Sequence, residues 1–202
     1  MFDRALLERP SIEAAPLLLG AIIHGRGVSV RLTEVEAYLG ELDPGSHAFR
    51  GETVRNRVMY GEAGHLYTYF TYGMHVCANV VCSPLGTATA VLFRAGEVVD
   101  GLELAHERRT TSRTDADLAR GPARLVVALG IALTDNGADL ESGEVALELA
   151  GEPSRYAQGP RTGVAGAGGS VDYPWRFWIP DDPTVSPYKA SVPKKRTPSA
   201  TL

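Results

Sequence analysis

From Val28 the chain alternates in the manner of a strand, and then the pattern changes hands. The even positions run Val28, Val30 and Leu32, followed by Glu34, Glu36 and Tyr38. The odd positions run Ser29, Arg31 and Thr33, followed by Val35, Ala37 and Leu39. Side chains alternate across a strand, so the face that begins apolar ends acidic. Either a bulge swaps the faces, or carboxylates project where the core should continue. An unpaired buried carboxylate is costly, which marks the segment for chemistry. The plainer reading is two solvated glutamates beyond a face swap, and spacing alone favours it.

The same periodicities predict the remaining elements. Residues 10–19 read as a short helix with Ser11 as N-cap, limited by Pro16. Ala21–His24 and Val28–Tyr38 flank Gly25-Arg26-Gly27, a hairpin signal. Residues 41–58 are polar and read as an irregular loop, the kind that carries function on a rigid scaffold. Leu66–Thr71 and His75–Val81, with Tyr72-Gly73-Met74 between them, predict a second hairpin, and Thr87–Arg94 a further strand. Helices are expected over Val98–Arg108 and Ala123–Leu129, the latter opened by Pro122 and closed by Gly130. Glu144–Ala150 and Arg176–Ile179 alternate as strands, and the glycine-rich stretch 159–169 requires close backbone approach or positive φ. Strands interleave with a few helices without regular βα alternation, so the fold class is α+β with a mainly antiparallel sheet.

Composition narrows the class. The chain has 202 residues, 44% hydrophobic and 22% charged, which suits one globular domain over about 1–190. A basic, Pro-containing tail over 191–202 reads as flexible. No apolar run reaches the roughly 20 residues of a membrane helix, and the N-terminus lacks the pattern of a secretion signal, so an intracellular protein is expected. The cysteines Cys77 and Cys82 lie an odd number of positions apart in one strand and would face opposite ways, which argues against an internal disulfide. Net charge is −4, a mild argument against nucleic acid, although Arg50, Arg55 and Arg57 gather around the first motif.

Five histidines and two cysteines offer no metal-ligand spacing, and no serine or cysteine sits in a nucleophile elbow. A carboxylate remains as the active group. Around it stand Glu36, Tyr38 and His47, then Tyr67, Tyr69, Tyr72 and Asn79 on the second hairpin, then Arg94. Tyr67 is read as cross-strand packing. Tyr72, at a hairpin tip, is a candidate wedge between base steps. Asn79 is either a satisfied core amide or a pocket group. Arg94 is a solvated strand end, an anchor for the Glu36 carboxylate, or a phosphate contact.

These residues fall in longer strings: EAYLG followed by His47, VRNR, HLYTYFTYGMHVCAN, a strand ending LFRA, GPARL, PRTGVAG and WRFWIPDDPTVS. Together they resemble the alkyladenine (3-methyladenine) DNA glycosylases of the type without a helix-hairpin-helix, over about residues 10–190. The resemblance implies a curved sheet with flanking helices and a protruding β-hairpin. It implies that Glu36 activates water, with Arg94 beside it and the Thr162 carbonyl helping to hold that water. Tyr38, His47 and Tyr69 would sandwich a flipped base, Asn79 would discriminate against normal guanine, and Tyr72 would fill the vacated stack. Arg55, Arg57 and Met59 would contact DNA. VRNR carries Val54 where proline is common. The implied protein is a monomeric, cofactor-free, monofunctional glycosylase acting on damaged purines in double-stranded DNA. A catalytically weak binding module of the same fold is the alternative. A carbohydrate glycosidase using Glu34 and Glu36 is a more distant rival.

Overall fold

The structure is a computed structural model that describes residues 1–71, 73–152 and 154–191. Tyr72 and the tail residues 192–202, and with them the expected wedge and the flexible tail, lie outside the described residues.

Among the described residues, eight strands form one antiparallel, curled sheet: β1 (Ile22–Gly25), β2 (Val28–Tyr38), β3 (Leu66–Thr71), β4 (His75–Cys82), β5 (Thr89–Asp100), β6 (Val145–Glu148), β7 (Ala157–Gly159) and β8 (Arg176–Trp178). The strand order is β3-β4-β5-β2-β1-β6, with β8 branching from β2 and carrying β7. Helices α1 (Arg4–Leu7), α2 (Ser11–Ala14), α3 (Leu102–Arg108) and α4 (Pro122–Leu129) complete an α+β fold. The β1–β2 turn places Arg26 at φ 46 and Gly27 at φ 84. Two successive positive φ values give the primed turn whose twist matches the flanking strands, and glycine meets that demand without strain.

Strand β2 is the spine. Its first half pairs with β1 and its second half with β8, while β5 runs along the opposite edge. Against β5 the register is Leu32↔Gly96, Glu34↔Ala95 and Val35↔Phe93. Thr33 is therefore an extra residue in β2, and Arg94 is an extra residue in β5. Each bulge flips the side-chain order of its own strand. Val28, Val30 and Leu32 lie in the main core, and beyond the bulge Val35 and Ala37 take their place. In β5, Val91 and Phe93 precede the bulge in that core and Val98 packs on it afterwards. The face swap is real, but Glu34 and Glu36 are not solvated: both are fully buried on the opposite face.

The core face is covered by α2, α4 and the preceding N-terminal segment, with Leu18, Leu19, Leu125 and Leu129 fully buried. The other face carries a smaller cluster of Ala48, Met59, Tyr67, Val81, Ala88 and Ala90. Toward the β3–β4 turn the hairpin leaves the body, with Phe70 and Met74 exposed.

Several boundaries differ from the periodicity. The 10–19 helix breaks into α2 and a 3-10 turn over Ala15–Leu18, because Pro16 cannot continue an α-helix. Ser11 is not its N-cap but its first residue, and its hydroxyl donates to the Tyr38 carbonyl at 2.9 Å. Strand β5 runs on through Val98–Asp100, and α3 starts only after Gly101 at φ 73. The short elements α1 and β7 carry no usable period and are new. Both cysteines are free: Cys77 lines the second face while Cys82 sits in the main core.

Candidate active site

A cavity of about 360 Å³ opens on the second face of the sheet. Its walls include Tyr38, His47, Tyr69, Asn79, Arg94 and Thr162, brought from four strands and two loops. It is at the small end of ligand pockets, suited to one flat ring rather than an extended chain.

The carboxylate of Glu36 has no exposed surface, and three lining residues hold it. Oε1 accepts the Thr162 backbone N–H at 2.7 Å and faces Arg94 Nη1 at 3.3 Å. Oε2 accepts the Tyr38 hydroxyl at 2.9 Å. A carboxylate offers about four lone-pair positions, so Oε2 retains one toward a further donor. Every partner is a donor or a cation.

Arg94 is not a strand end. It projects from the β5 bulge, is 6% exposed, and bridges two carboxylates, with Nε to Glu34 at 2.8 Å and Nη1 to Glu36. Burial would lower its pKa, but Glu36 and Glu34 raise it further, so it stays a cation. Glu34 is held by three donors of its own. It accepts from Arg94, from Arg176 Nε at 2.6 Å and from the Ser186 backbone N–H at 2.7 Å. Burial pushes the Glu34 carboxyl up, but the two guanidiniums and Ser186 outweigh it, and its pKa is lowered. Glu34 is thus a buried anchor rather than a solvated residue.

The aromatic wall is built on β3 and the 41–58 loop. Tyr69 meets His47 edge-on, ring centroids 4.4 Å apart, and Tyr67 tilts beside Tyr69 at 5.6 Å. The Tyr67 hydroxyl lies 3.1 Å from His47 Nδ1. Burial raises the Tyr67 phenol to about 12, and burial followed by Arg55 depresses His47 to about 4. His47 keeps one side open to water at the cavity rim, which offsets part of that penalty. Its direction leaves a neutral imidazole at neutral pH. Opposite Tyr67 on β4, Asn79 donates Nδ2 to the Tyr67 carbonyl at 3.0 Å, so one end of the amide is committed to the sheet.

Of the residues expected at DNA, Arg55 and Arg57 are on the surface. Arg55 donates to the Phe70 carbonyl at 3.1 Å and stacks over Tyr69, while Arg57 pairs with Glu52. Met59 is different: it is 2% exposed and lines the cavity, so its place is in the pocket wall rather than on the outer surface. Thr162 presents its N–H to Glu36, and its hydroxyl is buried without a hydrogen-bond partner among the described residues.

Sequence reasoning missed the pair that shapes the site. Arg161, fully buried, forks onto Asp43 with Nη1 and Nη2 at 2.5 and 2.6 Å. It also donates to the Ala37 and Gly168 carbonyls, and its guanidinium lies 4.5 Å from the centre of the Tyr38 ring. Asp43 in turn accepts the Leu39 and Gly45 N–H groups. Gly168 packs so closely on Gly45 that a Cβ would collide with its backbone. Asn56 fixes the loop from below, donating to the His47 and Gly51 carbonyls. The pointers were the DPGSH and PRTG strings, though nothing in either names the other as partner.

A small cavity walled by aromatic rings, with one carboxylate held at its edge, is the kind of site that suits a single planar group. Comparison with known proteins gives the class a name. A sequence model of the Methylpurine-DNA glycosylase family matches residues 5–183. The chain belongs to that family, DNA N-glycosylases of the hydrolase class that act in DNA repair. It is 60% identical over 188 residues to a "Putative 3-methyladenine DNA glycosylase" of Leifsonia xyli subsp. xyli, covering 89% of this chain and 88% of that one. A protein of the same name from Streptomyces avermitilis is 51% identical over 203 residues, covering 96% and 94%. One from Nocardia farcinica is 54% identical over 188 residues, covering 88% and 87%.

Proposed function

We propose that this protein releases damaged purines, 3-methyladenine and other methylpurines first, from double-stranded DNA, acting inside the cell as a monomeric unit of residues 1–190 and leaving an abasic site. The observation that carries the reading is the donor set around Glu36. Two donors occupy Oε1 and one occupies Oε2, which leaves Oε2 one lone pair for the proton of a water.

The base inside a duplex is out of reach, so the nucleotide rotates out at a cost of a few kcal/mol. Tyr72 fills the gap. Tyr38, His47 and Tyr69 enclose the flipped base, and Asn79 tests its edge. A positively charged alkylated purine stacks favourably on electron-rich rings. A neutral His47 adds no opposing charge, and the positive charge of Arg94 is balanced by Glu34 and Glu36. Water, held between Glu36 and the Thr162 carbonyl, attacks the anomeric carbon. Its proton passes to Glu36 Oε2, and the N-glycosidic electron pair leaves with the base. The carboxylate also stabilises positive charge growing on the sugar. A cationic base departs neutral without an acid. Deaminated or etheno purines require a proton at the base that none of these residues supplies, and they should be slower. Among the described residues no lysine lines the base cavity to form a Schiff base, so the strand stays intact.

The carbohydrate rival needs a second working carboxylate. Glu34 accepts from Arg94, Arg176 and Ser186, of which only Arg94 lines the base cavity, so Glu34 serves as an anchor for Arg94 rather than as a second working carboxylate. The binding-module alternative predicts affinity without turnover. A base-release assay on duplexes carrying each lesion decides between them: release of methylated purine with uncut strands supports the reading, and binding without release rejects it. Glu36→Gln should retain lesion binding and lose release by several orders of magnitude; near-normal turnover would sink the mechanism.

A further inference from the structure

Behind the Tyr38 wall lies a charge that the reaction above does not use. The buried Arg161 guanidinium lies over the Tyr38 ring at 4.5 Å and over the Trp175 ring at 5.2 Å. Tyr38 lines the base cavity, whereas Arg161 and its partner Asp43 do not. The tyrosine ring therefore stands between the guanidinium and whatever fills the cavity. Burial would lower the Arg161 pKa, but Asp43 raises it further, with Tyr38 and Glu36 adding to the effect, so it stays a cation. Its two carbonyl acceptors, Ala37 and Gly168, bring no net charge. The Glu36 charge is already met by Arg94 at 3.3 Å. Asp43, forked onto both Nη atoms at 2.5 and 2.6 Å, is the group that cancels it.

We infer that Asp43 is a specificity-determining residue: by cancelling Arg161 behind Tyr38, it keeps that wall receptive to positively charged purines. The inference rests on the reading above that Tyr38 encloses a flipped base. An electron-rich ring attracts a cation on its face. An unmatched cation over the far face of the same ring repels it. Base and guanidinium would then stand roughly 8–9 Å apart, where two unit charges at an effective dielectric constant of about 20 change an equilibrium constant by more than about tenfold. A neutral purine is spared that repulsion. Asp43 thus acts on the choice of base through Tyr38, without touching the base.

The test is fluorescence anisotropy of the full chain, carrying Glu36→Gln so that lesions are held without release. The duplexes carry 7-methylguanine, a cationic base, or hypoxanthine, a neutral one. Adding Asp43→Asn should weaken binding of 7-methylguanine relative to hypoxanthine by roughly tenfold. Equal weakening of both, the result of merely loosening the loops, overturns the inference, and so does an unchanged ratio. Arg161→Gln, which leaves the Asp43 carboxylate behind the ring, should shift the ratio toward 7-methylguanine; a shift of the same sign in both variants overturns the inference. The double variant leaves no buried charge unmatched. It should restore the parent ratio, and a ratio still shifted toward hypoxanthine overturns the inference equally. Release assays with Glu36 intact separate the two readings. A shifted ratio without base release from any lesion retains the role of Asp43 and rejects the glycosylase, whereas release with an unshifted ratio does the reverse.

Discussion

At the residue scale, the site separates groups that work from groups that hold. Glu36 and Glu34 stand two positions apart on one face, equal by spacing, and their partners divide them: all three that hold Glu36 line the base cavity, whereas Arg176 and Ser186, which hold Glu34, do not. Thr162 offers a sharper case. Its N–H binds Glu36, yet its hydroxyl is buried without a partner among the described residues. A buried unsatisfied polar group costs about 1–3 kcal/mol. Thr162→Val, which keeps the backbone bond, should raise the denaturant midpoint by roughly 1 kcal/mol of stability and retain base release. A clear loss of stability would show that the hydroxyl is satisfied in solution. Glu36, Tyr38, His47 and Asn79 were legible in the sequence because each was an odd residue for its place. Arg94 was only partly legible. LFRAG reads as the end of a strand, and nothing local announces that the strand continues past a bulge.

At the element scale, two loops make the walls, and a single buried ion pair locks them together. Arg161 comes from the glycine-rich stretch and Asp43 from the loop after β2, 118 positions apart. No local period reports such a pairing, which is why it was invisible beforehand. Breaking a buried pair leaves an uncompensated charge and costs about 3–5 kcal/mol. Arg161→Leu should therefore melt far earlier than wild type. Asp43→Asn, which keeps a fork acceptor but loses its charge, should fall between the two. If both melt as wild type, the loops are held by something else. The second hairpin was legible in full from its alternation, with β3 as expected and β4 one residue longer. Tyr72 falls between its strands in the sequence, and the wedge role proposed for it is open to test. Tyr72→Ala should reduce the fluorescence change of a reporter base beside the lesion, and an unaltered signal would reject the wedge. The Val98–Asp100 segment failed as a helix prediction because apolar residues on both sides of Gly101 mimic one continuous helical face.

At the scale of the whole molecule, titration and connectivity set the operating range. His47 has its pKa depressed to about 4, so an unfolded chain binds a proton there between about 6.5 and 4 that the folded one refuses. That contribution to stability is whole above about 6.5 and declines as pH falls toward 4. The Glu34 carboxyl is also lowered, so its share is present above the ordinary carboxylate range and is lost below it. Both act in the same direction, and the urea midpoint should drop steadily on acidification. His47→Phe should flatten that drop above pH 4, and an unchanged curve would show that the imidazole titrates freely. The antiparallel α+β class was readable from the strand pattern, whereas the branching of β2 between β1 and β8 was not, because β8 is only Arg176–Trp178. That late strand and the turn after it matter more than their length suggests. Arg176 and Ser186 complete the ion cluster on which Arg94, and through it Glu36, depends. Since synthesis delivers the N-terminal part first, a growing chain carries its carboxylate, its aromatic walls and its hairpin long before it can arm them. A product truncated before Arg176 should therefore release no base, because the cluster that sets Arg94 against Glu36 is incomplete.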